Sequence, residues 1–309
     1  MASGAAAPPK HLDIYRIAFA DTRHGLISLA SPKIPCPSHI CTWYVQATSD
    51  GGRSWSTTLR GPVSLVGHAE VEAAPGTSVV WAYFPCTEPT CRPRLYRSSD
   101  WGRQWRLVGH PRLERLRFFS PSDGWGLTGA LVLVASHDGG RSWRPVPKQP
   151  CPPDNPVGVG TVAVAPVSSR HGWVLCTDGQ LIEQAAGVYE TRDGARSWHV
   201  RAQRGSPPQM VGRGVRNLFA LVDLAFSASG RGWIWRYAGV PLRTTDAGRS
   251  WRPVAGWPFP RKTSGVRRGS AVSESQAFAL TNRPGGPIVL LRTSDGGRSW
   301  AIVHRWPHP

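Results

Sequence analysis

The stretch TSDGGRSW occupies residues 48–55 and returns unchanged at 293–300. The looser pattern Ser/Thr-x-Asp-x-Gly-x-x-Trp also takes in SSDWGRQW (98–105), SHDGGRSW (136–143) and TTDAGRSW (244–251), and TRDGARSW (191–198) fits with Ala195 in the Gly place. The six aspartates, Asp50, Asp100, Asp138, Asp193, Asp246 and Asp295, stand 50, 38, 55, 53 and 49 residues apart. That is the range in which a repeat is a whole supersecondary unit. A chain of 309 residues, 40% hydrophobic, can bury a sizeable core, and the repeats favour one closed array.

Each copy carries the physics of a hairpin turn. Asp followed by Gly or another small residue supplies positive φ, and the carboxylate accepts from amides of its own turn. The Trp that ends each copy (Trp55, Trp105, Trp143, Trp198, Trp251, Trp300) stands where the next strand begins, and is expected to be largely buried between neighbouring sheets. A second phrase recurs upstream, as IAFADTRHGLISL, RFFSPSDGWGL, VAPVSSRHGWVL, LAFSASGRGWIW and AVSESQAFAL; it reads as another hairpin. Two hairpins per repeat give four strands in roughly fifty residues, the size of a propeller blade. The 29 Pro and 34 Gly are spread along the chain, and no helical stripe exceeds two turns. The expected fold is all-β: a β-propeller of four-stranded antiparallel blades, six in number, with seven left open by the short 38-residue gap. Residues 1–11 are expected to be a disordered segment and 12–309 a single propeller domain.

The repeats resemble the BNR, or Asp-box, repeat of sialidases, sortilin-type receptors, certain xyloglucanases and the photosystem II assembly and stability factor family. The second phrase ending in Gly-Trp, followed by T-x-D-G-G-x-x-W, is most similar to the last of these. The resemblance spans about residues 12–306 and implies the fold. It says little of function, since in these families the boxes lie on turns away from the ligand face. A sialidase-like glycoside hydrolase or a lectin is the alternative it raises. The Arg-Ile-Pro motif of that family is broken here, because Arg16-Ile17 is followed by Ala18. Tyr189 and Glu190 are adjacent, and neighbours in a strand point to opposite faces. No catalytic residue is assigned.

Other chemistry finds no purchase. The ten His form no H-E-x-x-H or His-x-His pattern, so no metal site is expected. One Asp per turn is too few for Ca²⁺, and GVG at 158–160 is too short for a dinucleotide fingerprint. No cofactor is implied.

The cysteines carry more. Cys36-x₄-Cys41 and Cys86-x₄-Cys91 lie at the same distances before Asp50 and Asp100, so they occupy one place in two blades. Each pair is expected to close a local disulfide across the loop between second and third strands, and Cys151–Cys176 to tie the entry of blade four to its second strand. Three disulfides imply an oxidising compartment. MASGAAAPPKHLD, the first stretch, has neither the basic nor the apolar region of an export signal. The expectation that reconciles the two is an extracytoplasmic protein whose signal or anchor lies outside this sequence. No transmembrane stretch is read.

The formal net charge is +18, from 37 Lys plus Arg against 19 Asp plus Glu. Six of the Arg belong to the repeated turns: Arg53, Arg103, Arg141, Arg196, Arg249 and Arg298. Thirteen further basic residues are assigned by connectivity to the opposite, top face: Arg92, Arg94, Arg112, Arg115, Arg117, Arg201, Arg204, Arg213, Arg216, Arg261, Lys262, Arg267 and Arg268. A one-signed rim around a concave mouth focuses potential on anions. The function expected is a non-catalytic, monomeric binding scaffold or assembly factor whose partner is an acidic protein segment or an anionic envelope glycan. Nucleic acid is suggested by charge alone and disfavoured by the disulfides and the lack of a basic-aromatic motif.

Overall fold

The computed structural model describes residues 13–31, 41–64, 69–86, 91–151, 160–177, 186–204, 212, 214, 221–237, 239–260, 265–282 and 286–306. It contains six four-stranded antiparallel sheets. Blade one is β1 (Asp13–Phe19), β2 (Gly25–Ser31), β3 (Cys41–Thr48) and β4 (Ser56–Ser64). Blade two is β5 (Glu70–Ala73), β6 (Val80–Phe84), β7 (Arg94–Ser98) and β8 (Arg106–Gly109). Blade three is β9 (Arg115–Phe118), β10 (Gly124–Leu127), β11 (Leu133–Ser136) and β12 (Arg144–Pro145). Blade four is β13 (Gly160–Pro166), β14 (Gly172–Thr177), β15 (Ala186–Thr191) and β16 (His199–Arg204). Blade five is β17 (Leu221–Phe226), β18 (Gly232–Arg236), β19 (Leu242–Thr244) and β20 (Arg252–Pro253). Blade six is β21 (Gly265–Ala271), β22 (Ala277–Asn282), β23 (Ile288–Thr293) and β24 (Ala301–Trp306). The 38-residue gap is accommodated by very short strands in blade three, so the count is six.

The first strand of every blade packs on the first strands of both neighbours, and β21 meets β1. The ring is therefore closed, with the first strands innermost. Both faces of a blade are covered by other blades, which is why the middle strands read as continuous apolar runs. GLISLAS at 25–31 and GWVLCT at 172–177 are buried along almost their whole length. One apolar cluster fills each seam. Trp43 and Phe84 share the seam of blades one and two, Trp81 and Phe118 the next, and Phe19 and Phe278 close six onto one. The glycine of the second phrase has a use here. Gly25, Gly124 and Gly232 lie under the rings of Phe19, Phe118 and Phe226, where a Cβ would fall within 2.7 Å of a ring carbon.

The repeated turns sit between third and fourth strands. In the first, Asp50 Oδ1 accepts from the backbone N of Arg53 (2.9 Å) and Ser54 (3.0 Å), and Oδ2 from Ser54 Oγ (2.5 Å). Thr48 Oγ1 donates to Asp50 and accepts from Gly52 N at 2.9 Å. Two consecutive residues then take positive φ; Gly51 and Gly52 do so here, while Trp101, Ala195 and Ala247 do so without being glycine.

The turn also receives the blade before it. Trp81 Nε1 donates to Gly139 O (3.0 Å) of the next blade, and Trp173 Nε1 to Ala247 O (3.2 Å). Arg243 lies over the Trp233 ring of its own blade at 5.4 Å, a cation–π contact, and clasps blade five to blade six by donating to Gly296 O at 2.7 Å. Of the repeated tryptophans Trp251 is fully buried, and Trp55, Trp105, Trp143, Trp198 and Trp300 keep a minor part of their surface exposed. They open the outermost strand, so one edge of each ring faces solvent.

Cys86–Cys91 and Cys151–Cys176 are paired, each with Cα atoms 6.0 Å apart, within the ordinary range for a disulfide. Cys176 stands on β14, the second strand of blade four. Cys36, the side chain of Cys41 and residues 1–11 lie outside the described residues, and with them the expected Cys36–Cys41 bond.

Candidate functional site: the channel and its rim

A repeated hydrogen bond aligns the six inner strands. The backbone N of Ala20, Ala74, Phe119, Val167, Ser227 and Val272 each bonds a carbonyl across the following turn. Counting back four residues gives one ring: Arg16, Glu70, Arg115, Ala163, Asp223 and Arg268. Counting back two gives a second: Ala18, Glu72, Arg117, Ala165, Ala225 and Ser270. A β-bulge immediately precedes Arg16, Ala163, Asp223 and Arg268, the device by which a strand re-aims a side chain. Four arginines and three carboxylates thus line one small cavity on the ring axis.

They bond to one another. Arg16 forks onto Glu70, Nε to Oε2 at 2.6 Å and Nη2 to Oε1 at 2.5 Å. Arg117 Nη2 lies 3.0 and 2.9 Å from the two oxygens of Asp223, and its Nη1 lies 3.4 Å from Glu72. Arg115 donates to Val222 O at 3.2 Å. Blade four offers only Ala163 and Ala165 at these levels, which leaves room for the blade-three arginines to reach blade five. The cavity that remains is about 10 Å³, enough for roughly one water.

Burial sets the titration. It pushes Glu72 up to about 8, against the attraction of Arg117 and with the repulsion of Asp223 and Glu70 behind it. Burial alone would lower Arg117; Glu72 and Asp223 outweigh it and raise its pKa. Arg115 is lowered by burial and then by Arg16. Glycoside hydrolysis places a sugar ring between its two carboxylates; here Glu72 and Asp223 both face Arg117 beside a cavity of about 10 Å³, which leaves no space for one.

Several assigned rim residues sit elsewhere. Arg115 and Arg117 are on β9 and Arg268 on β21, so they belong to the channel and not to the rim. Arg201 is on β16, where its Nε donates to Glu190 at 2.5 Å. Glu190 is fully buried and also bonded by His171 (2.7 Å) and Arg192 (3.0 Å); burial raises its pKa, and these bonds outweigh it and hold it low. Arg92, Arg94 and Arg112 are exposed. They cluster at the Cys86–Cys91 loop, Arg112 reaching Cys91 O at 3.4 Å and His110 Nδ1 lying 2.7 Å from Pro93 O. Arg213, Arg216, Arg261 and Lys262, with the side chains of Arg204 and Arg267, lie outside the described residues.

Set against models of known families and against curated protein sequences, the chain matches none. Among solved structures it is similar to YCF48 bound to D1 peptide, at 16% identity over 95% of this chain and 82% of that one, with a TM-score of 0.50. YCF48 from Cyanidioschyzon merolae is 13% identical over 96% and 86% of the two chains, with a TM-score of 0.51. A mutant Aleuria aurantia lectin in complex with Fucα1-6GlcNAc is 11% identical over 98% and 99%, with a TM-score of 0.57. At these identities the likeness is one of fold, and the chain is a six-bladed β-propeller.

Proposed function

We propose that this propeller is a non-catalytic extracytoplasmic scaffold of the Asp-box class that binds an anionic partner, an acidic protein segment or an envelope glycan, on its top rim. The observation that carries this reading is the crowded channel: its three carboxylates all face arginines around a cavity of about 10 Å³, so recognition falls to the outer surface. Exposed Arg92 and Arg94 beside the Cys86–Cys91 disulfide supply positive charge, and the rim as proposed extends to Arg213, Arg216, Arg261, Lys262 and Arg267. Two cysteine pairs favour an oxidising compartment. Among the described residues no helix is long and apolar enough to cross a membrane. Propellers of this shape take a peptide in one neighbour and a fucoside in another, which supports a binding role without choosing between the two partners.

The test is capture from an envelope fraction with wild type, Arg92→Glu/Arg94→Glu, and Arg53→Glu/Arg141→Glu on the opposite face. Capture should weaken as salt rises and be lost only in the first double variant, with unfolding midpoints unchanged. Equal loss in both pairs would mean nonspecific charge and sink the rim.

A further inference from the structure

On the face of the repeated turns, where blades five and six meet, an open cleft of about 920 Å³ is lined by Arg243, Arg249, Arg252, Arg298, Asp246 and the backbone around Trp251. The volume is that of a small-molecule site. Arg249, Arg252 and Arg298 are exposed, and among the described residues none of the three is ion-paired. Asp246 keeps its charge but makes no ion pair with them: Oδ1 accepts from Ser250 N and Thr244 Oγ1, both at 2.8 Å, and Oδ2 accepts from Ser250 Oγ at 2.5 Å. Arg243 is fixed by Gly296 O and Glu274 O at 2.7 and 2.9 Å, while its Nε is buried without a hydrogen-bond partner. Burial first, then repulsion from Arg231 and Arg298, hold the Arg243 pKa below its ordinary value.

Four acceptors of the wall are taken. Gly296 O receives Arg243, Gly297 O receives Gly256 N (3.1 Å), Asp246 O receives Arg249 N (3.3 Å) and Gly248 O receives Trp251 Nε1 (2.9 Å). Trp251 is 1% exposed and offers no face for stacking a sugar or a base. Four arginines against the one carboxylate of Asp246 make the polar part of the cleft rich in donors and positive charge. A peptide would bring backbone N–H groups, and a sugar hydroxyl groups, for which these four acceptors are occupied; unmet donors are costly. A chain of phosphates brings acceptors only, and guanidinium forks match its oxygens.

We propose that this cleft binds a short chain of phosphate groups. The site is separate from the rim, and its success or failure is independent of the rim's.

Titration calorimetry of the full chain with tripolyphosphate in low salt should give one site. Arg249→Ser/Arg298→Ser should weaken it at least tenfold, and Arg53→Ser/Arg141→Ser, the same positions in other blades, by less than twofold. Arg249→Lys keeps the charge and loses the fork; a several-fold loss is expected, and it serves if the double variant folds poorly. No binding by wild type, or equal losses in the two double variants, would overturn the site. A tri-glutamate peptide binding as tightly as tripolyphosphate would overturn the phosphate assignment.

Discussion

Glu72→Gln should stabilise this protein at alkaline pH and leave it unchanged in acid. In the folded chain Glu72 keeps its proton up to about pH 8, against 4.5 for the ordinary group. Between those values the native state binds one proton more than the unfolded state, so stability is full below 4.5 and falls as pH rises towards 8. At about 1.4 kcal/mol for each tenfold change in proton affinity, the full fall is roughly 3–5 kcal/mol. Glutamine keeps the volume and a carbonyl for Arg117, and Asp223 still balances that guanidinium at 2.9 Å, so the variant removes the buried charge and little else. Urea unfolding followed by tryptophan fluorescence at intervals from pH 4.5 to 9 would show it. Wild type and variant should coincide at the acid end and diverge by several kcal/mol at the alkaline end. A variant that is less stable than wild type at pH 9 would refute the reasoning, because Glu72 would then be charged in the native state and held there by Arg117.

Phe278→Ala removes a fully buried ring stacked on Phe19 at 3.6 Å and should cost about 3–5 kcal/mol. Hydrogen exchange should rise first in β1 and β22, and uniform loss of protection would show that this seam is not special. Asp138 runs opposite to Glu72. Burial raises it, and bonds from Ser142 and Ser136 outweigh that and lower its pKa from 3.8 to about 2, so its contribution is present above 3.8 and lost as pH falls through that window. Asp138→Asn should flatten this part of the acid titration curve; an unchanged curve would dismiss the assignment. Loop lengths of 25 and 5 residues predict that losing Cys151–Cys176 costs about 3.5 kcal/mol and losing Cys86–Cys91 about 2, measurable from unfolding of the two Cys→Ser pairs.

The repeated turn is legible in sequence because it is local: every partner of Asp50 lies within four residues of it. The channel was harder to see. Charge counting assigns Arg115 and Arg117 to a connecting loop, yet the alternation Arg115-Leu116-Arg117-Phe118 is itself a strand signal, its second and fourth residues buried. Aligning the first strands on the turn that follows would have placed Arg16, Glu70, Arg115 and Asp223 at one level. What no alignment reveals is the pairing, since Arg117 and Asp223 are 106 residues apart and meet only because blade four supplies alanines between them. Glu190 was masked for another reason: it takes the place that Arg97, Arg243 and Arg292 hold in other copies, three residues before the turn aspartate, and departures from a repeat carry no pattern of their own.

The buried charges make most sense as bracing. Each blade is built from consecutive chain, so blades one to six are linked through five connections, and the seam between six and one is held by side chains. There Phe19 stacks on Phe278, Phe19 N donates to Ser270 Oγ at 2.9 Å, and His304 Nδ1 lies 2.9 Å from Arg53 O. If packing weakens at the other seams the chain still tethers the two sheets, whereas at this one they can part, since restoring it means closing a loop the length of the whole ring. Arg117 draws Asp223 of blade five onto blade three, and Arg16 draws blade one onto blade two. The Arg117–Asp223 bond joins two blades that are not neighbours, so splaying the ring strains a contact that the seam itself does not contain. A buried ion pair is weak evidence for stability when compared with apolar packing, but breaking one by separating its members leaves a buried charge alone. That asymmetry favours the closed ring over the open one even where the pairs add little to the folded state as a whole.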